Sequence, residues 1–290
     1  MKFYRVYVEL TNICGLKCSF CPPQIVPTHT MPLDFFEHVL DELTPYTKEI
    51  AYHMGGDSLA LSNLSAYLDL TCKKRLRGML TTSGYFLRTH DLPTLMHPAL
   101  KQINISINSY NKNTMSLSFE EYMEPIIKLC EYKREHNHNL FINLRLWNMD
   151  EAQSERAFNE KLFVYLEKAF GVPLHVNTLY NEKPRSIRLA EKVLLHFDTY
   201  FEWPRLASEE SSEGTCLGLS SHFGILSSGV VVPCCLDKDG VMALGDLHVN
   251  TLKQILKAPK TQAIIEGFKH HKAVEALCQK CTYKHRFKEK

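Results

Sequence analysis

The chain has no apolar run approaching the ~18 residues that a membrane-spanning helix needs, so nothing in its 290 residues reads as a span. It also has no excess of charge of one sign. Its 34 Lys and Arg stand against 32 Asp and Glu, a net of +2, and a balance so near zero names no partner by itself. Internal repeats and low-complexity tracts are absent, and no G-x-G-x-x-G dinucleotide fingerprint follows the first strand. The N-terminal MKFYRVYVEL has no signal-like apolar core, because Arg5 and Glu9 interrupt it. These absences lead to the expectation of a cytoplasmic protein that does not enter the membrane.

What is there looks globular: 44% of the residues are apolar and 23% charged. Ten cysteines are present, too many to ignore and, in a reducing compartment, unsuited to a disulfide framework. They cluster. Cys14, Cys18 and Cys21 fall within eight residues, and Cys216, Cys234, Cys235, Cys278 and Cys281 all lie beyond position 215. Cys72 and Cys130 stand alone and read as small buried residues. Clustering at both ends points to metal or cluster ligation.

Between the clusters, short apolar runs alternate with amphipathic stretches. Tyr4, Val6, Val8 and Leu10 alternate as a strand does, and Phe35, Phe36, Val39, Leu40 and Leu43 recur at helical spacing. Further strands are expected in EIAYHM, GMLTT, QINISI, LFINLRLW and VLLHF, with helices over 61–75, 119–136 and 151–170. Repeated strand–helix units imply a parallel sheet with right-handed crossovers. About six of them suggest a partial barrel, with its chemistry at the C-terminal strand ends. The polar stretch 207–215 reads as a linker. Beyond it, HFGIL and VVVPCC flank Ser227-Ser228-Gly229 as a hairpin, followed by helices over 252–256 and 261–268. A small module of this kind gains from a metal staple.

Thiolates are soft ligands, and sulfur sites select zinc or iron–sulfur clusters. A structural zinc site wants four protein ligands, and the first group offers three cysteines, with His29 the one nearby candidate for a fourth. A cluster held by three cysteines keeps one iron open to a small molecule.

At these residues the chain resembles the radical S-adenosylmethionine superfamily. That family's signature is C-x3-C-x2-C with an aromatic residue before the last cysteine, on the loop after the first barrel strand. Here it is Cys14-Gly15-Leu16-Lys17-Cys18-Ser19-Phe20-Cys21. The resemblance implies a partial (β/α)6 TIM-like barrel over 1–206, a linker over 207–215 and a small α+β module over 216–290. It implies a four-iron four-sulfur cluster on the three cysteines that binds S-adenosyl-L-methionine and cleaves it reductively. The product, a 5′-deoxyadenosyl radical, then abstracts a substrate hydrogen. The family's GGE motif corresponds to Gly55-Gly56-Asp57, with Asp a methylene shorter than Glu. Its Thr-Thr-Asn-Gly corresponds to Thr81-Thr82-Ser83-Gly84. Ser106 and Asn108 match ribose-contacting positions, and Arg145 is a partner for the methionine carboxylate. From the residues alone, Asp57 is equally well a helix cap, Ser106 a sheet residue and Arg145 a structural ion-pair partner.

The later cysteines resemble the SPASM extension in its shortened "twitch" form, which implies one auxiliary four-iron four-sulfur cluster on Cys216, Cys234, Cys278 and Cys281, used in electron transfer. The spacing alone leaves zinc open. Adjacent strand residues point to opposite faces, so one of Cys234 and Cys235 ligates; the step from Cys216 in twitch enzymes favours Cys234.

The resemblance implies a flavodoxin- or ferredoxin-like electron donor and a peptide or small-molecule substrate. From Thr251 to Lys290, ten Lys and Arg face three Glu, a net of +7. RNA modification is therefore a second reading, and a cysteine-rich zinc or iron–sulfur sensor or carrier a third. Asp198, Glu202 and Trp203 are candidates for the substrate side and His53 for a proton relay, each with a plain structural alternative.

Overall fold

The computed structural model describes residues 1–113, 116–136, 139–149, 155–200, 202–208 and 211–287. In chain order its strands are β1 (Arg5–Val8), β2 (Glu49–Ala51), β3 (Arg77–Thr82), β4 (Leu100–Ser106), β5 (Phe141–Leu146), β6 (Ser186–Ala190), β7 (Val193–Phe197), β8 (His222–Ile225), β9 (Val230–Val232) and β10 (Gly245–Asp246). The chain forms two compact units, Met1–Met79 with Phe201–Lys290, and Leu80–Tyr200.

In the first unit the strand order is β10-β9-β8-β1-β2-β3. β1 runs parallel to β2, with Val6 opposite Ile50, and parallel to β8, with Arg5 opposite His222. The glutamate after β1 continues this ladder, donating its N–H to Ile225 O at 2.9 Å. Val6, Val8 and Leu10 are fully buried, which by strand alternation leaves Arg5, Tyr7 and Glu9 on the opposite face. The expected hairpin is present: β8 and β9 pair antiparallel around Ser227-Ser228-Gly229. It does not stand apart, however. Its first strand is the partner of β1.

The helix Leu33–Leu43 buries Phe36, Val39, Leu40 and Leu43 as one stripe, and Leu64–Lys73 buries Leu64, Tyr67, Leu68 and Thr71. Phe36 meets Tyr67 edge-on at 5.2 Å. Tyr52 is wholly buried and its hydroxyl lies 2.5 Å from Thr71 Oγ1. Gly78 on β3 makes room for that ring, since a Cβ there would come within 2.4 Å of Tyr52 Cε2.

In the second unit the order is β4-β5-β7-β6. β4, β5 and β7 are parallel, and β6 closes back on β7 antiparallel. Neither β6 nor the helix Val176–Glu182 is expected from the sequence. Of the five residues of β6 only Leu189 is buried, so this strand carries almost no apolar pattern. The helix Phe119–Glu135 opens on a capping box of Ser118 and Glu121. The helix Arg156–Phe170 ends at left-handed Gly171, while its expected beginning at Glu151 lies outside the described residues. No described helix is long and apolar enough to cross a membrane.

Replacing Gly78 with Ala forces a methyl against the Tyr52 ring. Such overpacking costs about 1–3 kcal/mol, read as a lower denaturant midpoint with little change in slope.

Candidate functional site

The cysteine loop is closed at its base by polar contacts that its own sequence supplies. Thr11 and Thr30 form an isolated antiparallel bridge. Asn12 Nδ2 donates to Pro27 O at 2.8 Å, and His29 N–H donates to Asn12 Oδ1 at 2.7 Å. Gly15, at φ 73°, turns the chain after Cys14, and Cys21 N–H donates to Cys18 O at 3.0 Å. Cys18 is buried, Cys14 half-buried and Cys21 exposed; Phe20 is half-buried.

The three thiols sense one another. Burial, then the Asp57 carboxylate and Cys18, push Cys14 up to about 12. A hydrogen bond with Cys18 is the main cause holding Cys21 well above its ordinary value. Thiols crowded in this way resist ionising together unless a cationic centre takes the charge. Three soft donors on one loop suit an iron–sulfur cluster in type and number. Among the described residues, no three His, Cys, Asp or Glu side chains close around a single metal ion.

The Gly55-Gly56-Asp57 turn after β2 is built onto this loop. A Cβ at Gly56 would come within 2.2 Å of Thr11 O and 2.7 Å of Asn12 C. Asp57 N–H donates to Ile13 O at 2.9 Å. Asp57 is also a cap: its carboxylate accepts from Leu59 N–H at 3.1 Å, starting the short turn Ser58–Ala60. The motif's third residue thus takes the cap role that its sequence left open, and its carboxylate acts on the Cys14 thiol.

Two residues missed by sequence reasoning tie this turn to the C-terminal segment. Glu9 is 2% exposed. Its Oε1 accepts from Gly55 N–H at 2.9 Å, and its Oε2 accepts from Ser227 N–H at 3.1 Å and Ser227 Oγ at 2.9 Å. Lys238 is 8% exposed and donates to Pro23 O at 3.2 Å. A carboxylate at the end of an apolar strand was the available signal for Glu9. For Lys238 there was none.

The second unit carries the other residues suggested by the resemblance. Ser83 is buried in a hydroxyl-stabilised turn: its Oγ accepts from Tyr85 N–H at 3.3 Å and its carbonyl from Tyr122 Oη at 2.7 Å. Gly84 follows at φ 83°. Ser106 ends β4 in register with Arg145 on β5. Asn108 is 5% exposed, and its Oδ1 has no hydrogen-bond partner among the described residues. A buried acceptor without a donor is costly, and a ribose hydroxyl is the kind of group that would satisfy it. The Arg145 guanidinium lies 4.4 Å from the centre of the Trp147 ring. His196, its register partner on β7, is held below the usual imidazole range by burial and then by Arg145.

In the C-terminal segment, burial is the largest cause raising all four expected ligands, Cys216, Cys234, Cys278 and Cys281. Cys234 also feels Cys235, then Cys216 and Cys278, and Cys278 feels Cys216 and Cys281. Cys235 faces a different environment. Burial pushes it up to about 12, and it takes a hydrogen bond from the Tyr7 hydroxyl on β1. Cys235 also feels Cys216, as Cys234 does, so what distinguishes the two is the Tyr7 contact. His53 packs edge-on to Tyr7 at 5.2 Å. Asp198 follows β7, and Glu202 is exposed.

The sequence model of the radical SAM superfamily matches residues 8–154, half of the chain, and that of SPASM, an iron–sulfur cluster-binding domain, matches 216–282. The chain belongs to the radical SAM superfamily and carries this second domain. Its architecture is the family's partial β/α barrel. Among relatives, it is 27% identical over 169 residues to AlbA of Bacillus subtilis, a biosynthesis protein of the antilisterial bacteriocin subtilosin; the match covers 54% of this chain and 38% of AlbA. It is 26% identical over 133 residues to a GTP 3′,8-cyclase of Aliarcobacter butzleri, covering 43% and 41%. The chain thus spans about two-fifths of each relative's length. Among solved structures, BtrN in complex with AdoMet and 2-DOIA superposes with a TM-score of 0.62 at 17% identity, covering 97% of this chain and 94% of BtrN. SuiB of Streptococcus suis bound to its precursor peptide SuiA superposes at 0.60 and 15%, covering 100% and 74%. These likenesses are of fold.

Two substitutions probe the first-unit site. Gly56→Ala has no room against the Thr11 and Asn12 backbone and lowers iron uptake on reconstitution by about one cluster's complement, measured by iron assay. Glu9→Gln cannot serve all its donors and costs about 1–3 kcal/mol, seen as a lower unfolding midpoint.

Proposed function

We propose that this radical SAM enzyme oxidises or otherwise modifies a peptide, with an auxiliary four-iron four-sulfur cluster carrying electrons. The observation that carries the reading is the seating of the Gly55-Gly56-Asp57 turn on the three-cysteine loop through Gly56.

Cys14, Cys18 and Cys21 hold the first cluster, which when bound supplies one-electron reductive cleavage of S-adenosylmethionine to a hydrogen-abstracting 5′-deoxyadenosyl radical. The chain's own residues bind and orient. Phe20 precedes the last ligand of the loop, and Ser83 shapes the turn after β3. The Gly55-Gly56-Asp57 turn, fixed by Glu9, presents its backbone and the Asp57 carboxylate to the methionine amino group. The Asn108 acceptor and Ser106 receive ribose hydroxyls. Arg145, steadied on Trp147, offers a guanidinium fork that matches a carboxylate. Cys216, Cys234, Cys278 and Cys281 hold the auxiliary cluster. Four protein ligands leave it no open corner for substrate, so its use is electron transfer, and a flavodoxin- or ferredoxin-like protein is the external donor.

A peptide substrate draws support from AlbA, named for bacteriocin biosynthesis, and from SuiB, solved with a precursor peptide. A small-molecule substrate is the second reading, favoured by the near full-length match to BtrN, solved with 2-DOIA. RNA draws less support, because several basic groups of the C-terminal segment are engaged. Lys284 is buried with its ammonium on the carbonyls of Ser211, Cys278 and Gln279. Lys260 pairs with Glu275, and Lys269 with Glu266. The second domain and the barrel motifs likewise give a zinc sensor or carrier no support.

Anaerobic reconstitution tests the proposal. The expected result is about eight irons per chain and 5′-deoxyadenosine formed under reduction. Bound zinc, or intact S-adenosylmethionine, overturns it. Cys234→Ala lowers the iron content by about half and Cys235→Ala leaves it unchanged; the reverse pattern refutes the ligand set.

A further inference from the structure

Lys238 lies in the C-terminal segment, yet its contacts are with the first cysteine loop and its neighbours. A lysine stem usually carries its ammonium out to water, and a buried ammonium is tolerated when it is paired and hydrogen-bonded. Here the head donates to Pro23 O at 3.2 Å across 215 residues of sequence, and pairs with Asp239 Oδ1 at 2.8 Å. The stem runs along Gly55, where a Cβ would come within 3.5 Å of Lys238 Cβ and 3.6 Å of its Cδ. Pro22 and Pro23 follow Cys21 directly. Having no N–H, they cannot anchor that stretch by donating backbone hydrogen bonds, so a donor reaching in from elsewhere restrains it.

We propose that Lys238 is a positioning residue of the first cluster, a buried cation that pins the loop after Cys21 and sets how readily the cluster there accepts an electron. This rests on the reading of Cys14, Cys18 and Cys21 as ligands of an S-adenosylmethionine-responsive cluster. Cluster potentials follow local charge, hydrogen bonding and exposure. A cation beside a cysteine ligand stabilises the reduced, more negative state. Asp239 damps that effect, because its carboxylate neutralises much of the field at short range. Removing Lys238 and removing the Asp239 charge therefore act in opposite directions, which a purely structural role does not produce.

The test uses the full-length reconstituted protein in a dithionite redox titration monitored by electron paramagnetic resonance. It follows the signal that changes on addition of S-adenosylmethionine, with iron assayed alongside. At the poise where half of the wild-type cluster is reduced, Lys238→Met is expected to lower the reduced-to-oxidised ratio by about threefold or more, where tenfold corresponds to 59 mV for one electron. Asp239→Asn raises the ratio, and Lys238→Arg stays near wild type. Unmoved potentials at full iron content overturn the inference, as do shifts of the same sign in Lys238→Met and Asp239→Asn. If Lys238→Met does not hold iron, Asp239→Asn decides, and no rise there is a refutation. A wild-type protein with no S-adenosylmethionine-responsive signal removes the parent reading and this one with it; a responsive wild-type signal whose potential ignores the variants removes this inference alone.

Discussion

A carboxylate kept away from water must be met by donors, and the Glu9 side chain meets that requirement with donors from two distant segments. Gly55 N–H comes from the turn after β2, and the N–H and hydroxyl of Ser227 come from the hairpin after β8. Losing either leaves a buried charge under-satisfied. The strand that leads into the cysteine loop, the turn packed beneath that loop and the C-terminal hairpin are therefore held in one arrangement. The parallel pairing of β1 with β8 supports the same arrangement through the backbone. So do the stacking of Phe35 on His248 at 3.8 Å and the cap that Glu42 gives to Leu252 N–H at 2.7 Å.

The two cysteine groups share an electrostatic logic. Each crowds thiols where burial and neighbouring sulfurs oppose ionisation, so a bound cationic centre would stabilise their thiolate form. Metal binding and folding are coupled under such conditions. They differ in setting. The first group lies on a loop with one member exposed, beside a glycine turn that brings backbone close. The second gathers its cysteines from three separated stretches within the C-terminal segment.

Much of the site was legible because ligand spacing is a local property. Three cysteines within one loop, an aromatic residue before the last, and a Gly-Gly-Asp turn after the second strand can be read without knowing any long-range contact. The strands β1 to β5 and β7 were legible too, since their apolar residues alternate or run continuously. β6 escaped because an edge strand with one buried residue has no such pattern. Asp57 stayed ambiguous in the sequence because its cap role depends on the turn Ser58–Ala60, and its place beside Cys14 depends on how Gly56 seats the turn.

By itself the sequence pointed to the kind of chemistry: cysteines spaced in threes and fours, the soft donors that clusters take, on a scaffold of repeated strand–helix units. Ligand type and spacing are properties of neighbouring residues, so they survive without coordinates. Only the tertiary structure brought Tyr7 to Cys235. It alone joined β8 to β1 and brought Glu9 and Lys238 to work on segments 46 and 215 residues away. A buried charge finds its partners by packing, whatever their distance along the chain.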